Sequence, residues 1–219
     1  LVGAKYRLYD RVIAISMAIR DVLVGQGVDP ETVHCVWSAL DPTPFQEPCI
    51  REVFHREMGL PPQAPVVGMA AQFIQRKGHD VLLQALPGVL RLHPDARILL
   101  FGQGPLREEM VRRARDAGLE DSVHFPGFRD DLPSLLPCLD LLVHPATMEG
   151  LGVILLQAGA AGIPVVAAAA GGVPEAVVDE ETGLLVPPDD PHALADAVND
   201  LLENPERARS MGEAARRRV

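Results

Sequence analysis

The stretch His144-Pro145-Ala146-Thr147-Met148-Glu149-Gly150-Leu151-Gly152-Val153-Ile154-Leu155-Leu156-Gln157-Ala158-Gly159-Ala160-Ala161-Gly162-Ile163-Pro164-Val165-Val166 decides how the rest of the chain reads. It starts where the apolar run 139–143 stops, turns through Gly150 and Gly152, opens a helix of small residues and re-enters an apolar run at Pro164. Strand, loop, helix, strand is the repeating unit of a parallel α/β sheet, and its only carboxylate, Glu149, stands in the loop. A loop feeding a helix N-terminus presents free backbone N–H groups and about half a positive charge, which together attract anions. Gly150 and Gly152 carry no Cβ, so the backbone there can approach a ligand closely. Glu149 is thereby placed to meet an anionic, hydroxyl-rich ligand.

The same alternation runs outward from this unit in both directions. Toward the N-terminus it predicts a strand over 66–70, a helix over 79–92, a strand over 97–101, a helix over 105–117, a strand over 122–125, a short helix over 131–136 and a strand over 140–144. Toward the C-terminus it predicts a strand over 164–168, a short helix over 173–178, an apolar return at 184–186, and helices over 192–203 and 205–217. The expected fold class is α/β, a Rossmann-like doubly wound parallel sheet that binds ligands at the carboxyl ends of its strands. The glycine-rich turns fall at those ends.

Residues 12–15 and 33–37 read as two further strands, joined by a helix with Ser16 as N-cap and Gly25 or Gly27 at its end. Two strands and a helix cannot close a core, so 1–41 reads as the tail of a preceding domain. Residues 42–65 hold Pro42, Pro44, Pro48, Pro61, Pro62 and Pro65 around a short helical interval at 51–58, the composition of a linker. Residues 66–219 then form the ligand-binding domain. The start at Leu1 rather than Met reads as a fragment whose earlier domain is missing.

Composition narrows the function classes. Hydrophobic residues are 47% and aromatics 4%, so the core is built from Ala, Val, Leu and Ile, as in a sheet buried on both faces. A net charge of −10 with scattered basic residues excludes nucleic acid as a partner and leaves anion binding to local groups. No apolar run reaches the ~18 to 20 residues of a membrane span, nothing resembles a signal peptide, and no metal-ligand spacing is present. Cys35, Cys49 and Cys138 show no CxxC spacing and an odd count. They are expected to be reduced, in a cytoplasmic protein.

With its turns placed, the chain resembles the carboxy-terminal, donor-binding domain of a GT-B glycosyltransferase of retaining family 4. The resemblance rests on Ile13-Ala14-Ile15-Ser16, Gly78 after Arg76-Lys77, Phe101-Gly102-Gln103-Gly104-Pro105-Leu106, Phe125-Pro126-Gly127-Phe128, the Glu149 loop and Gly171-Gly172-Val173-Pro174-Glu175. It implies transfer of a hexose from a nucleotide diphosphate sugar to a hydroxyl acceptor with retention, in a context such as bacterial cell-envelope glycan synthesis. No cofactor beyond the donor is implied. The acceptor, a glycan or lipid-linked glycan, would be held by the missing domain, with room for peripheral membrane contact.

The resemblance also assigns residues. Glu149 faces the donor sugar, and the amides of Gly150, Leu151 and Gly152 surround the sugar and diphosphate. The family's second glutamate is replaced by Gln157, about 7 Å further along the helix and within reach of a ribose. An amide in place of a carboxylate costs about 1 kcal/mol there, on the order of tenfold or less in affinity. Gln72 stands where the family has an arginine, so Lys77 carries the diphosphate charge and ranks with Glu149 as catalytic, while Arg76 is a second cation if it swings in. The loops with Gly102 and Gly104, and with Phe128 and Arg129, would flank the base. Glu175 either caps the helix it opens or touches ligand. His144 reads as a wall residue or a base. Two alternatives remain at this stage: a non-catalytic GT-B-like binding or scaffold module, suggested by Gln72 and Gln157 together, and a sugar-nucleotide epimerase.

Overall fold

The computed structural model describes residues 5, 6 and 9–219. The remaining residues of the expected 1–41 segment lie outside the described residues. Six strands make the main sheet: β3 (Val66–Ala70), β4 (Arg97–Phe101), β5 (Val123–Gly127), β6 (Leu141–His144), β7 (Val165–Ala168) and β8 (Gly183–Val186). All pairs are parallel, in the order β5-β4-β3-β6-β7-β8. Chain direction across the sheet reverses between β3 and β6, the switch point of a doubly wound sheet, where a crevice opens beyond the carboxyl ends. A separate parallel pair, β1 (Val12–Ala14) and β2 (Val33–Cys35), precedes it with helix α1 (Met17–Gly25) between. The expected α/β class and doubly wound parallel topology are both present.

The other helices are α2 (Arg51–Met58), α3 (His79–Leu92), α4 (Arg107–Asp116), α5 (Leu132–Leu135), α6 (Val153–Ala161), α7 (Val173–Ala176), α8 (Pro191–Glu203) and α9 (Pro205–Arg218). Most lie within two residues of the predicted bounds. The strand predicted over 122–125 runs on to Gly127 through Pro126. Proline is tolerated because β5 is an edge strand, where one backbone N–H has no ladder partner to lose.

Period-2 alternation divides the core between the two faces of the sheet. Ile98, Leu100, Leu141 and Val143 pack with α3 and α8, through Leu82, Leu86, Leu194 and Val198. Leu99, Phe101 and Leu142 face the opposite way, onto Leu155, Ala158 and Ala161 of α6. Phe45, Phe54 and Leu60 are buried in this second cluster, so the proline-rich residues 42–65 pack against the sheet. Arg51 fixes them further, donating to both carboxylate oxygens of Asp140 at 3.0 and 2.8 Å.

One sequence expectation is overturned here. Cys49 and Cys138 form a disulfide, with Cα atoms 5.1 Å apart across 89 residues of sequence, and only Cys35 is a free thiol among the described residues. Spacing along the chain did not reveal the pair, because it is the packing of 42–65 against the single turn Leu136–Cys138 that brings them together.

Candidate functional site

Three loops meet at the switch point, and their glycines explain how closely. The single turn Gln75–Lys77 ends at Gly78 with φ of +73°, where an added Cβ would lie 1.9 Å from the Pro145 carbonyl oxygen. The Thr147 amide donates to the Arg76 carbonyl at 3.0 Å, which ties this turn to the loop after β6. From the other side, a Cβ on Gly172 would lie 2.0 Å from the Gly150 carbonyl oxygen, and the Gly172 amide donates to the Glu149 carbonyl at 3.0 Å. No side chain fits at these contacts, so Gly78 and Gly172 are requirements of backbone packing.

This packing aims Glu149 inward. Its side chain is only 11% exposed, and its carboxylate accepts from Lys77 Nζ, from His144 Nε2 at 3.1 Å and from its neighbour's amide, Gly150, at 3.1 Å. Arg76 joins the rim: Nη1 donates to the Met148 carbonyl at 3.3 Å and lies 4.0 Å from Glu149 Oε1. Burial alone would raise the Glu149 pKa, but the hydrogen bonds from His144 and Lys77 outweigh it and bring the carboxyl down to about 2. Glu149 is therefore ionised at neutral pH and acts as an acceptor only. Directly beyond it, α6 begins at Gly152 with no side-chain cap, so its first amides are available to an anion.

Helix α6 links this charged cluster to a cavity of about 240 Å³ at the ends of β3, β4 and β5. Gln72, Gly102, Phe128, Arg129 and Gln157 line it together with Ile154, Leu132 and Gln103. Its one charged lining group is already engaged. Hydrogen bonds from Arg129 to Asp131 at 2.7 and 2.5 Å, and to Glu57 at 2.5 Å, raise the guanidinium pKa further and tie it to α2. The cavity thus offers amides, backbone and apolar surface, which suits a flat neutral group, with Phe128 62% exposed at its edge.

The predicted site residues, Gly104 apart, fall into three sets. Lys77, Arg76 and Glu149 form the charged cluster with the Gly150 amide, while Gln72, Gly102, Phe128, Arg129 and Gln157 line the cavity. Leu151 and Gly152 shape the loop between, and the Leu151 side chain is buried away toward a different cavity, beside Trp37 and Leu155. Gly104 belongs with neither cluster nor cavity. A Cβ there would lie 2.6 Å from the Phe73 carbonyl oxygen, so its role is close packing of the loop. Glu175 neither caps its own helix by its side chain nor lies with the cluster: its carboxylate accepts from the amides of Met17 at 2.8 Å and Ala18 at 2.9 Å and from Trp37 Nε1 at 2.8 Å.

Sequence reasoning underrated His144 and missed Glu57. An apolar run ending in a histidine five residues before Glu149 was the available signal for the first. Nothing in the sequence linked Glu57 to Arg129, 72 residues away.

Residues 50–218 match the family model described as glycosyl transferases group 1. The chain belongs to that family. Among its relatives in the group 1 family, a GDP-mannose-dependent alpha-(1-6)-phosphatidylinositol monomannoside mannosyltransferase of Mycolicibacterium smegmatis is 40% identical over 161 residues, covering 69% of this chain and 42% of that protein. A D-inositol 3-phosphate glycosyltransferase of Corynebacterium kroppenstedtii is 35% identical over 219 residues, covering 94% and 48%. The chain thus spans about half the length of the curated relatives it matches. Among solved structures, Anabaena HepE in complex with UDP and glucose superposes with a TM-score of 0.92 at 27% identity, covering 99% of this chain and 60% of that one. The group 1 fold seen here is a GT-B doubly wound unit.

Proposed function

We propose that this chain is the donor-binding part of a retaining, family 4 hexosyltransferase that uses a nucleotide diphosphate sugar and a hydroxyl acceptor. One observation carries the reading: a single helix, α6, joins a largely buried carboxylate held by Lys77 and His144 to a cavity lined by Gln72 and Gln157, whose one charged group, Arg129, is already paired. The base would enter the cavity between the Gly102 and Phe128 loops, and Gln157 would meet the ribose. The diphosphate would lie on the uncapped amides of α6 beside Lys77 and Arg76, with the sugar against Glu149. In such a site the main catalytic contribution is stabilising charge on the departing diphosphate. The names of the relatives and the UDP and glucose in HepE support this assignment.

Residues 1–41 would belong to an acceptor-side domain, 42–65 to the connection and 66–219 to the donor domain. The acceptor, a glycan or lipid-linked glycan, would be bound by the other half of such a protein, with peripheral membrane contact compatible with that role. No helix among the described residues is long and apolar enough to cross a membrane. Donor chemistry places the protein in the cytoplasm in this reading, where Cys49 and Cys138 would be open to reduction. Calorimetric titration of this chain with UDP, GDP, ADP, UDP-glucose and GDP-mannose tests the proposal. Weak binding of one nucleotide series is expected, with little sugar transfer by this chain alone, and binding of none would sink it.

A second reading, a non-catalytic binding module, is favoured by one observation: Gln72 and Gln157 both line the cavity where the family resembled has Arg and Glu. Restoring both, as Gln72→Arg with Gln157→Glu, should leave biological function unchanged if that reading holds. A large gain in turnover with no loss elsewhere would count against it.

A further inference from the structure

His144 is the last residue of β6, only 1% exposed, and it is in register with Ala167 of β7. Its neighbours in the strand are Leu141, Leu142 and Val143, so a polar side chain here stands out against an otherwise apolar strand. Nε2 meets Glu149 Oε2 at 3.1 Å, while Nδ1 is buried and has no hydrogen-bond partner. An ionised carboxylate has no proton to give, so Nε2 must donate. The Nε2 position therefore carries a proton and donates it to Glu149.

Lys77 and His144 both donate to the same oxygen, Oε2. Of the two, only Lys77 has a flexible stem and a charge that a diphosphate would draw away. His144 is fixed by its strand. On the donor-site reading, a bound diphosphate competes with Glu149 for Lys77, and a largely buried carboxylate that lost this cationic partner would be left poorly solvated and free to turn.

We infer that His144 is a positioning residue: it holds the Glu149 carboxylate toward the donor sugar when Lys77 moves from Glu149 to the diphosphate. This assigns the two donors on Oε2 separate tasks. Lys77 is exchanged on binding, and His144 with the Gly150 amide remains. The inference rests on the donor reading above, but its first consequence does not need a ligand.

Long-range proton–nitrogen correlation spectra of this chain should show His144 protonated on Nε2; an imidazole protonated on Nδ1 alone would overturn the inference. The second measurement compares the wild-type chain with His144→Leu, which suits the apolar strand, and His144→Gln, which keeps a donor near Nε2. Each is titrated with UDP, UDP-glucose, GDP and GDP-mannose, after thermal melts confirm folding. His144→Leu should bind the nucleoside diphosphates within about twofold of wild type. Its preference for the sugar nucleotide over the bare nucleotide should fall about tenfold, with most of that loss recovered in His144→Gln. An unchanged preference in His144→Leu, or no recovery in His144→Gln, would overturn the inference while leaving the donor reading intact. If the wild-type chain binds none of the four, the donor reading falls and the inference falls with it.

Discussion

At the residue scale, buried His79 and partly buried Glu149 make acid sensitivity legible, in successive pH windows. His79 is 3% exposed and stacks on Phe73 with ring centres 4.2 Å apart, and burial drives its pKa down from 6.5 to about 4. The unfolded chain takes up that proton first, so the stability from a neutral His79 is complete above about pH 6.5 and is lost as pH falls toward 4. Glu149, lowered from 4.5 to about 2, contributes stability that is complete above about 4.5 and is lost between there and 2. Its contribution is at most about 3 kcal/mol, from the size of that shift. Denaturant unfolding as a function of pH should show His79→Phe flattening the upper window and Glu149→Gln the lower one. Parallel wild-type and variant curves in both windows would contradict these assignments. Lys77→Gln should weaken nucleotide binding more than Arg76→Gln, because Arg76 is 44% exposed and Lys77 only 14%; equal losses in titration would place the charge on both.

At the element scale, the site depends on loops locked to one another by backbone contact. Gly172 has an ordinary φ of −85°, so its need for glycine is space alone: its Cβ would lie 2.0 Å from a backbone oxygen that cannot move aside without dragging Glu149. Gly172→Ala is expected to cost about 1 to 3 kcal/mol of stability in chemical denaturation and to weaken nucleotide-sugar binding as well. Much of this layer was readable in advance. The alternation of apolar runs with helical periods placed the elements, since both faces of the sheet are buried and its strands are continuous Val, Leu and Ile runs. The cluster of glycines located the loops. What the sequence left open was the purpose of each glycine and acid: Gly104 and Gly172 serve packing, and Glu175 serves a helix 158 residues away. Such contacts depend on tertiary proximity, which has no period along the chain. His144 was equally open, because a histidine ending a buried strand has the same local pattern whether it faces solvent, core or carboxylate.

At the scale of the whole molecule, the Cys49–Cys138 disulfide ties the proline-rich 42–65 segment to the sheet, within the same core cluster that Leu132 packs against. Closing a loop of this length restricts the unfolded chain by roughly 4 to 5 kcal/mol in the chain-entropy account. Cys49→Ser with Cys138→Ser should therefore lower the denaturation midpoint by several kcal/mol equivalent, and treatment of wild type with a thiol reductant should reproduce the shift. No change under reductant, with thiol titration returning three free cysteines beforehand, would show the pair unbonded. The other long-range tie is the carboxylate of Glu175. Its three bonds to Met17, Ala18 and Trp37 outweigh the effect of burial and hold its pKa below the usual range, so it stays engaged throughout neutral pH. It has a mechanical consequence: residues 12–37 are coupled to the six-stranded sheet, and to swing separately they must first make one carboxylate release two amides and an indole at once.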